Sequence, residues 1–400
     1  MSFISHRINL IKPSPTLAVA AKAMEMKQSG LDVINLGVGE PDFDTPVNIK
    51  NAAKKAIDEG FTKYTAVDGT RELKDAVVRK FKNENKIEYD LNQVMVSNGG
   101  KQAIYNALLA TLNPEDEVLI PAPYWVSYPD MVLLAGGRPV ILETKPENNF
   151  LLLPEQLEVA INKNTKWIFI NSPSNPTGAI YSQANLSALA QVLIKFPHVL
   201  ILSDDIYEHL IFDGEEFYNI VNVEPRLKER TIIVNGVSKS YSMTGWRIGF
   251  AAGNKEIISA MVKIQSQVTS NPCTISQKAA VEALAGDQSF LATNLETFQR
   301  RKNLVHKMIN EIPGLSCGEI DGAFYAFVSW RLFHDKKTPN GKVMASDNDF
   351  ANYILEEALV AVVPGVAFGL SGYFRMSFAL DDHVVTEACN RIKRACEKLN

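Results

Sequence analysis

The sequence predicts an α/β fold: a large domain with a mostly parallel sheet sandwiched by helices, and a smaller α+β unit beside it. Short, β-branched apolar runs recur at 93–97, 117–120, 138–142, 166–170, 199–203, 231–235 and 248–253. Most of these runs are separated by stretches with helical spacing. Strands that are apolar along their whole length belong in a sheet covered on both faces. Beyond residue 253 the strand signal thins, then returns in a shorter block near the C-terminus.

In chain order, Pro13 to Thr16 turns into a helix over 16–28, which Gly30 stops. A short strand over 33–36 leads into a loop over 37–46. Thr45 is expected to cap the next helix, with Pro46 at its first position, and that helix runs to Gly60. A polar-aromatic loop over 61–69 carries Tyr64. Thr70 caps a helix with Leu73, Val77 and Phe81 on one face. Helices over 101–112, 124–134, 154–161 and 183–195 alternate with the strands. Helices follow over 254–268 and 275–284. A long one over 290–312 bridges to the smaller unit. There, strands over 323–328, 360–363 and 374–378 alternate with helices over 349–358 and 381–399. The segment 336–342 reads as a mobile polar loop. The expected division is a large domain over 48–295 and a small one from 1–47 plus 296–400.

The 400 residues, 46% hydrophobic, suffice for a large core. A formal charge of -4 with interspersed signs argues against nucleic acid or a membrane surface as partner. No apolar run reaches membrane-spanning length, and the N-terminus has no signal-peptide pattern. Cys273, Cys317, Cys389 and Cys396 lack metal or disulfide spacing, so reduced thiols and a cytoplasmic location are expected. The six histidines show no ligand spacing, and no metal is expected.

Four loops after strands carry the chemistry, and in an open α/β sheet such strand ends form the ligand rim. The stretch 234–250 holds Lys239 and Arg247 among small hydroxyl residues, including Ser238. A lysine there can attack a carbonyl, and serines with an arginine can hold phosphate oxygens. Gly99 and Gly100, before Lys101, free the backbone N–H groups of a helix start for an anion. Asn175, held extended by Pro176, can point its amide inward. Asp204 ends a buried strand, where a carboxylate needs a cationic partner such as a protonated pyridine. A solvated turn position fits Asp205 better.

Asn175-Pro176-Thr177-Gly178, Asp204 with Tyr207, Ser238-Lys239 with Arg247, and Phe374-Arg375-Met376-Ser377-Phe378 occur in that order. So do Gly39-Glu40-Pro41-Asp42-Phe43, Tyr64-Thr65 and Pro123-Tyr124-Trp125. The chain thereby resembles, over nearly its whole length, the class I aminotransferases of pyridoxal-phosphate fold type I. It looks most like their bacterial aspartate/prephenate subgroup. The resemblance implies pyridoxal 5'-phosphate as cofactor, in a Schiff base with Lys239, which also moves the substrate proton. It implies that Asp204 keeps the pyridine protonated, that Tyr207 and Asn175 bond the phenolic oxygen, and that Trp125 stacks on the ring. Gly99, Gly100, the Lys101 backbone, Ser238 and Arg247 would hold the phosphate. Tyr64 would reach it from the partner of a homodimer with shared active sites. Arg375 would bind the substrate α-carboxylate, with Gly39 and Asn175 completing that pocket.

The implied reaction passes the amino group between L-aspartate and 2-oxoglutarate, with prephenate a second acceptor that yields arogenate. In animal aspartate enzymes a partner-chain arginine holds the distal carboxylate, yet no arginine occurs over 270–276. The bacterial subgroup offers Lys101 for that carboxylate and Lys12 for prephenate. Aromatic or broad specificity is one alternative, and a lyase on the same fold is another. A ligand sensor fused to a DNA-binding module fits less well, because the family core begins within the first dozen or so residues and there is no basic surplus.

Overall fold

The computed structural model describes residues 3–400. Thirteen strands are assigned in it. In chain order they are β1 (Ile34–Asn35), β2 (Val94–Ser97), β3 (Glu117–Ala122) and β4 (Arg138–Glu143). β5 (Thr165–Asn171), β6 (Leu200–Asp204), β7 (Thr231–Gly236) and β8 (Gly249–Ala252) follow. The last are β9 (Ser316–Cys317), β10 (Tyr325–Ser329), β11 (Val360–Ala361), β12 (Val363–Pro364) and β13 (Tyr373–Ser377).

Seven strands form the central sheet, in the order β2-β8-β7-β6-β5-β3-β4. All neighbours run parallel except β8, which is antiparallel to both β2 and β7. The continuous apolar runs are explained by burial on both faces. In β5, Trp167 and Phe169 enter one core cluster while Ile168 and Ile170 enter another. The period of two along a strand makes this split unavoidable.

A second sheet, β12-β13-β10-β9, is antiparallel, and β1 pairs in parallel with β11. A third core gathers Phe324, Trp330, Phe350 and Phe374 with Val305 and Ile309 of the helix Phe290–Asn310. Tyr207 and Leu210, just beyond β6, also pack into it.

Four local expectations need correction. Thr45 does not cap a helix: the helix Val47–Asp58 has Pro46 at its cap position without a side-chain bond. The Thr45 hydroxyl instead donates to the Ser242 carbonyl (2.6 Å) and accepts from Trp246 Nε1 (3.0 Å). The helix expected over 124–134 begins only at Tyr128. The Tyr124 N–H is drawn away to the Phe368 carbonyl (3.0 Å). The strand over 360–363 is two strands serving different partners, β1 and β13. The loop over 336–342 is tied down, with Lys337 bridged to Val343 and its N–H donating to the Asn400 carbonyl (2.8 Å).

Candidate active site

The carboxyl ends of β5, β6 and β7 open on a cavity of about 320 Å3. Lys239, Asp204, Tyr207, Asn175, Arg375, Gly39, Gly100, Lys101, Trp125, Ser238 and Arg247 all border it. The ends of β5, β6 and β7 and the loops after them bring Asn175, Asp204, Tyr207, Ser238, Lys239 and Arg247; the segments after β1, β2 and β3 bring Gly39, Gly100, Lys101 and Trp125, and β13 supplies Arg375 from the second sheet.

The Lys239 ammonium donates to the Gly39 carbonyl (2.6 Å). Burial, then the charge of Arg375, lowers its pKa to about 8, against the pull of Glu40 and Asp204. A lysine so depressed is deprotonated near neutrality far more often than a surface one. Asp204 is buried at the end of β6. Burial raises its carboxyl to about 6, resisted first by Tyr128, whose hydroxyl donates to Oδ2 (2.6 Å). The Asn171 amide donates to the Asp204 carbonyl (2.9 Å), so the end of β5 fixes the end of β6. A cationic ring nitrogen at this carboxylate would restore its ionised form.

Arg375, 2% exposed, donates from Nη1 to Asn175 Oδ1 (2.9 Å) and from Nη2 to the Gly37 carbonyl (2.6 Å). Its buried Nε has no hydrogen-bond partner among the described residues. The guanidinium lies 4.4 Å from the Tyr325 ring centroid and 5.0 Å from that of Phe368. Tyr207 and Tyr325 share a hydroxyl–hydroxyl hydrogen bond (2.8 Å).

At the other end of the cavity, the helix Gly100–Thr111 starts after Gly99 with no side-chain cap. Gly99 has φ +86°, and a Cβ there would lie 2.2 Å from Arg247 Nη2. A glycine is therefore required for the arginine to sit over the bare helix start. The Lys101 ammonium lies 4.8 Å from the Trp125 ring centroid, and burial lowers its pKa, followed by Arg247.

Tyr64 and Lys12 lie elsewhere. Tyr64 is 92% exposed, and Lys12 is on the surface with its N–H facing the Asp130 carboxylate. Asp205 is not solvated but 2% exposed, correcting the expectation for it. It accepts from Ser203 Oγ (2.7 Å) and Asn219 Nδ2 (2.5 Å), and burial lifts its carboxyl to about 8. Tyr128, Asn171 and Tyr325 escaped the sequence reading. No spacing rule signals a side chain whose role is to touch another far away in sequence.

A fold of this type with a lysine, a buried carboxylate and a buried arginine around one cavity defines the class. The profile described as aminotransferase class I and II matches residues 31–392, and the chain belongs to that family. More narrowly, it is 57% identical over 399 residues to the probable aspartate/prephenate aminotransferase of Rickettsia bellii, covering 100% of both chains. It is also 57% identical over 400 residues to the aspartate/prephenate aminotransferase of Cereibacter sphaeroides, again covering 100% of both. The crystal structure of the aspartate aminotransferase from Rhizobium meliloti superimposes with a TM-score of 0.97 at 50% identity, covering 100% of both chains. The Thermus thermophilus aspartate aminotransferase solved with maleate gives 0.92 at 40%, covering 99% of this chain and 100% of that one.

Proposed function

We propose that this transaminase moves the amino group between L-aspartate and 2-oxoglutarate, using pyridoxal 5'-phosphate, and accepts prephenate as a second oxo acid. The observation that carries this reading is that one cavity joins Lys239, Asp204 and Arg375. The residues fit the cofactor. Gly99 lets the Arg247 guanidinium come close where a Cβ would collide with it, that arginine stands beside an uncapped helix start, and Asp204 is a buried acid with no cation bonded to it among the described residues. Arg247, Ser238 and the Gly99–Gly100 backbone would hold the phosphate, Trp125 would cover one ring face, and Tyr207 with Asn175 would meet the phenolic oxygen. When bound, the ring supplies an electron sink for the carbanion left after proton loss.

The protein supplies the rest. Arg375 binds the α-carboxylate with the planar fork that a lysine lacks. Lys239, with its pKa near 8, takes the Cα proton and returns it. Its neighbours Tyr207 and Phe324 present ring faces 5.9 and 5.8 Å from the ammonium, which limits water on that side. Lys101 borders the same cavity and can meet a second carboxylate. The names of the relatives and the dicarboxylate bound in the Thermus structure support that choice. Lys12 lies outside the cavity, so its part in prephenate use would require movement of the N-terminal segment.

Tyr64, exposed and outside its own cavity, supports a homodimer in which a second copy's Tyr64 completes the phosphate site. We assign a large domain over 48–295 and a small one from 1–47 with 296–400; two core clusters lie within the first, and a third gathers residues of the second around Tyr207, Leu210 and Phe212 from beyond β6. A cytoplasmic setting agrees with four free cysteines and, among the described residues, no helix long and apolar enough to cross a membrane.

Single-turnover reaction of the cofactor-bound protein with a panel of amino acids, then of oxo acids including prephenate, tests the reading. Aspartate should convert stoichiometrically, and 2-oxoglutarate should restore the starting absorbance. Ammonia release, or faster conversion of aromatic amino acids than of aspartate, would overturn it.

A further inference from the structure

The segment Gly37-Val38-Gly39 touches both working cations. The Gly37 carbonyl accepts from Arg375 Nη2 and the Gly39 carbonyl from Lys239 (each 2.6 Å). Two glycines in three residues give this backbone little stiffness of its own. Its position must come from what holds its ends. On the N-terminal side, β1 pairs with β11, and the Gly37 N–H donates to Asn35 Oδ1 (2.9 Å).

On the C-terminal side the anchor is ionic. Asp42 receives a two-pronged bond from Arg301, Nη1 to Oδ1 at 2.7 Å and Nη2 to Oδ2 at 2.8 Å. The Arg301 Nε donates to Asp382 Oδ1 (3.0 Å), so the whole fork is engaged. Its guanidinium lies 5.3 Å from the Phe43 ring centroid and 5.9 Å from that of Phe298. Arg301 is 4% exposed although it lines no part of the cavity. A fully bonded, ring-flanked arginine offers one geometry only.

We propose that Arg301, through Asp42, is a positioning residue for substrate binding. It fixes the Gly37–Gly39 backbone, and that backbone orients Arg375. The inference rests on reading Arg375 as the carboxylate anchor. Loosening the Asp42 end lets the Gly37 carbonyl drift, and the Arg375 fork then loses one of its two protein bonds. Every amino acid and oxo acid presents the same α-carboxylate, so the effect is uniform over substrates. Lys239 also meets this segment, at the Gly39 carbonyl, but its own backbone is carried by the loop after β7, so the proton transfer is disturbed less than binding.

Arg301→Lys keeps the charge without the fork, and Asp42→Asn alters a partly exposed partner that should fold. The holoenzyme forms are compared with Arg375→Lys. KM and kcat are measured for aspartate, a monocarboxylic amino acid and 2-oxoglutarate, with calorimetric binding of maleate as a non-reacting probe. Both variants should raise every KM, and the dissociation constant of maleate, by a similar factor of about tenfold, with kcat within about twofold of the parent. Unchanged KM values, or a fall in kcat alone, in variants whose melting temperature shows them folded would overturn the proposal while Arg375→Lys still weakens binding. Unchanged binding in Arg375→Lys would remove the carboxylate anchor and the proposal with it.

Discussion

Tyr128 decides how much negative charge Asp204 carries. Its hydroxyl bond is the largest influence opposing burial at that carboxyl. Tyr128→Phe removes one donor to a charged group, worth about 1.5–3 kcal/mol. The Asp204 pKa then rises, so the acid limb of the kcat/KM profile should move to higher pH, and activity at neutral pH should fall about tenfold or more. An unmoved acid limb would show that Tyr128 only fills space. Asp205 gives a separate signature in stability. Its folded pKa, about 8, lies above the ordinary aspartate value of 3.8, so between those limits the folded state binds a proton that the unfolded state has lost. Stability contributed by this group is therefore full below about pH 4 and declines as pH rises toward 8, by up to about 1.4 kcal/mol per pH unit. Asp205→Asn mimics the protonated acid toward Ser203 and Asn219. Melting temperatures taken from pH 5 to 8 should fall less steeply in this variant than in the parent.

At the scale of elements, the turn from β2 into the helix Gly100–Thr111 is the most constrained. Gly99→Ala would force a Cβ onto Arg247 Nη2 and place alanine at φ +86°. The arginine must move, and cofactor retention on dialysis should weaken about tenfold or more, an affinity loss of at least 1.4 kcal/mol. Normal retention would mean that Arg247 is dispensable there. This turn was legible in the sequence because a strand, two glycines and a helical period follow one another without interruption. The strands of the central sheet were legible for the same reason: burial on both faces writes itself as an unbroken apolar run. Thr45 was misread because Thr-Pro before a helical pattern is the ordinary capping signal. Only the fold brings Ser242 and Trp246 within reach of its hydroxyl. The start at Tyr128 was misread because Phe368, which takes the Tyr124 N–H, is remote in sequence. Asp205 looked solvated because Ser203 and Asn219, which satisfy its oxygens, give no pattern that predicts a buried pair.

For the whole molecule, the exposure of Tyr64 has a direct test. Lys239→Ala and Tyr64→Ala chains, each inactive or nearly so, should regain activity when mixed under conditions that exchange subunits. A hybrid dimer would carry both defects in one site and leave the other intact. No gain over the sum of the separate activities would reject a shared site. The two sheets also differ in how far along the chain their parts are drawn. The residues around the candidate phosphate and ring positions, from Gly99 to Arg247, lie in the central sheet and its loops. The β1–β11 pairing joins Ile34 to Val360, and Arg375 follows on β13. On a ribosome, sections of chain settle as they emerge, N-terminal parts first. On the reading proposed above, the nascent polypeptide has its own share of the coenzyme-binding residues before the arginine that would hold the α-carboxylate has been synthesised, so loading with coenzyme could precede any encounter with metabolites.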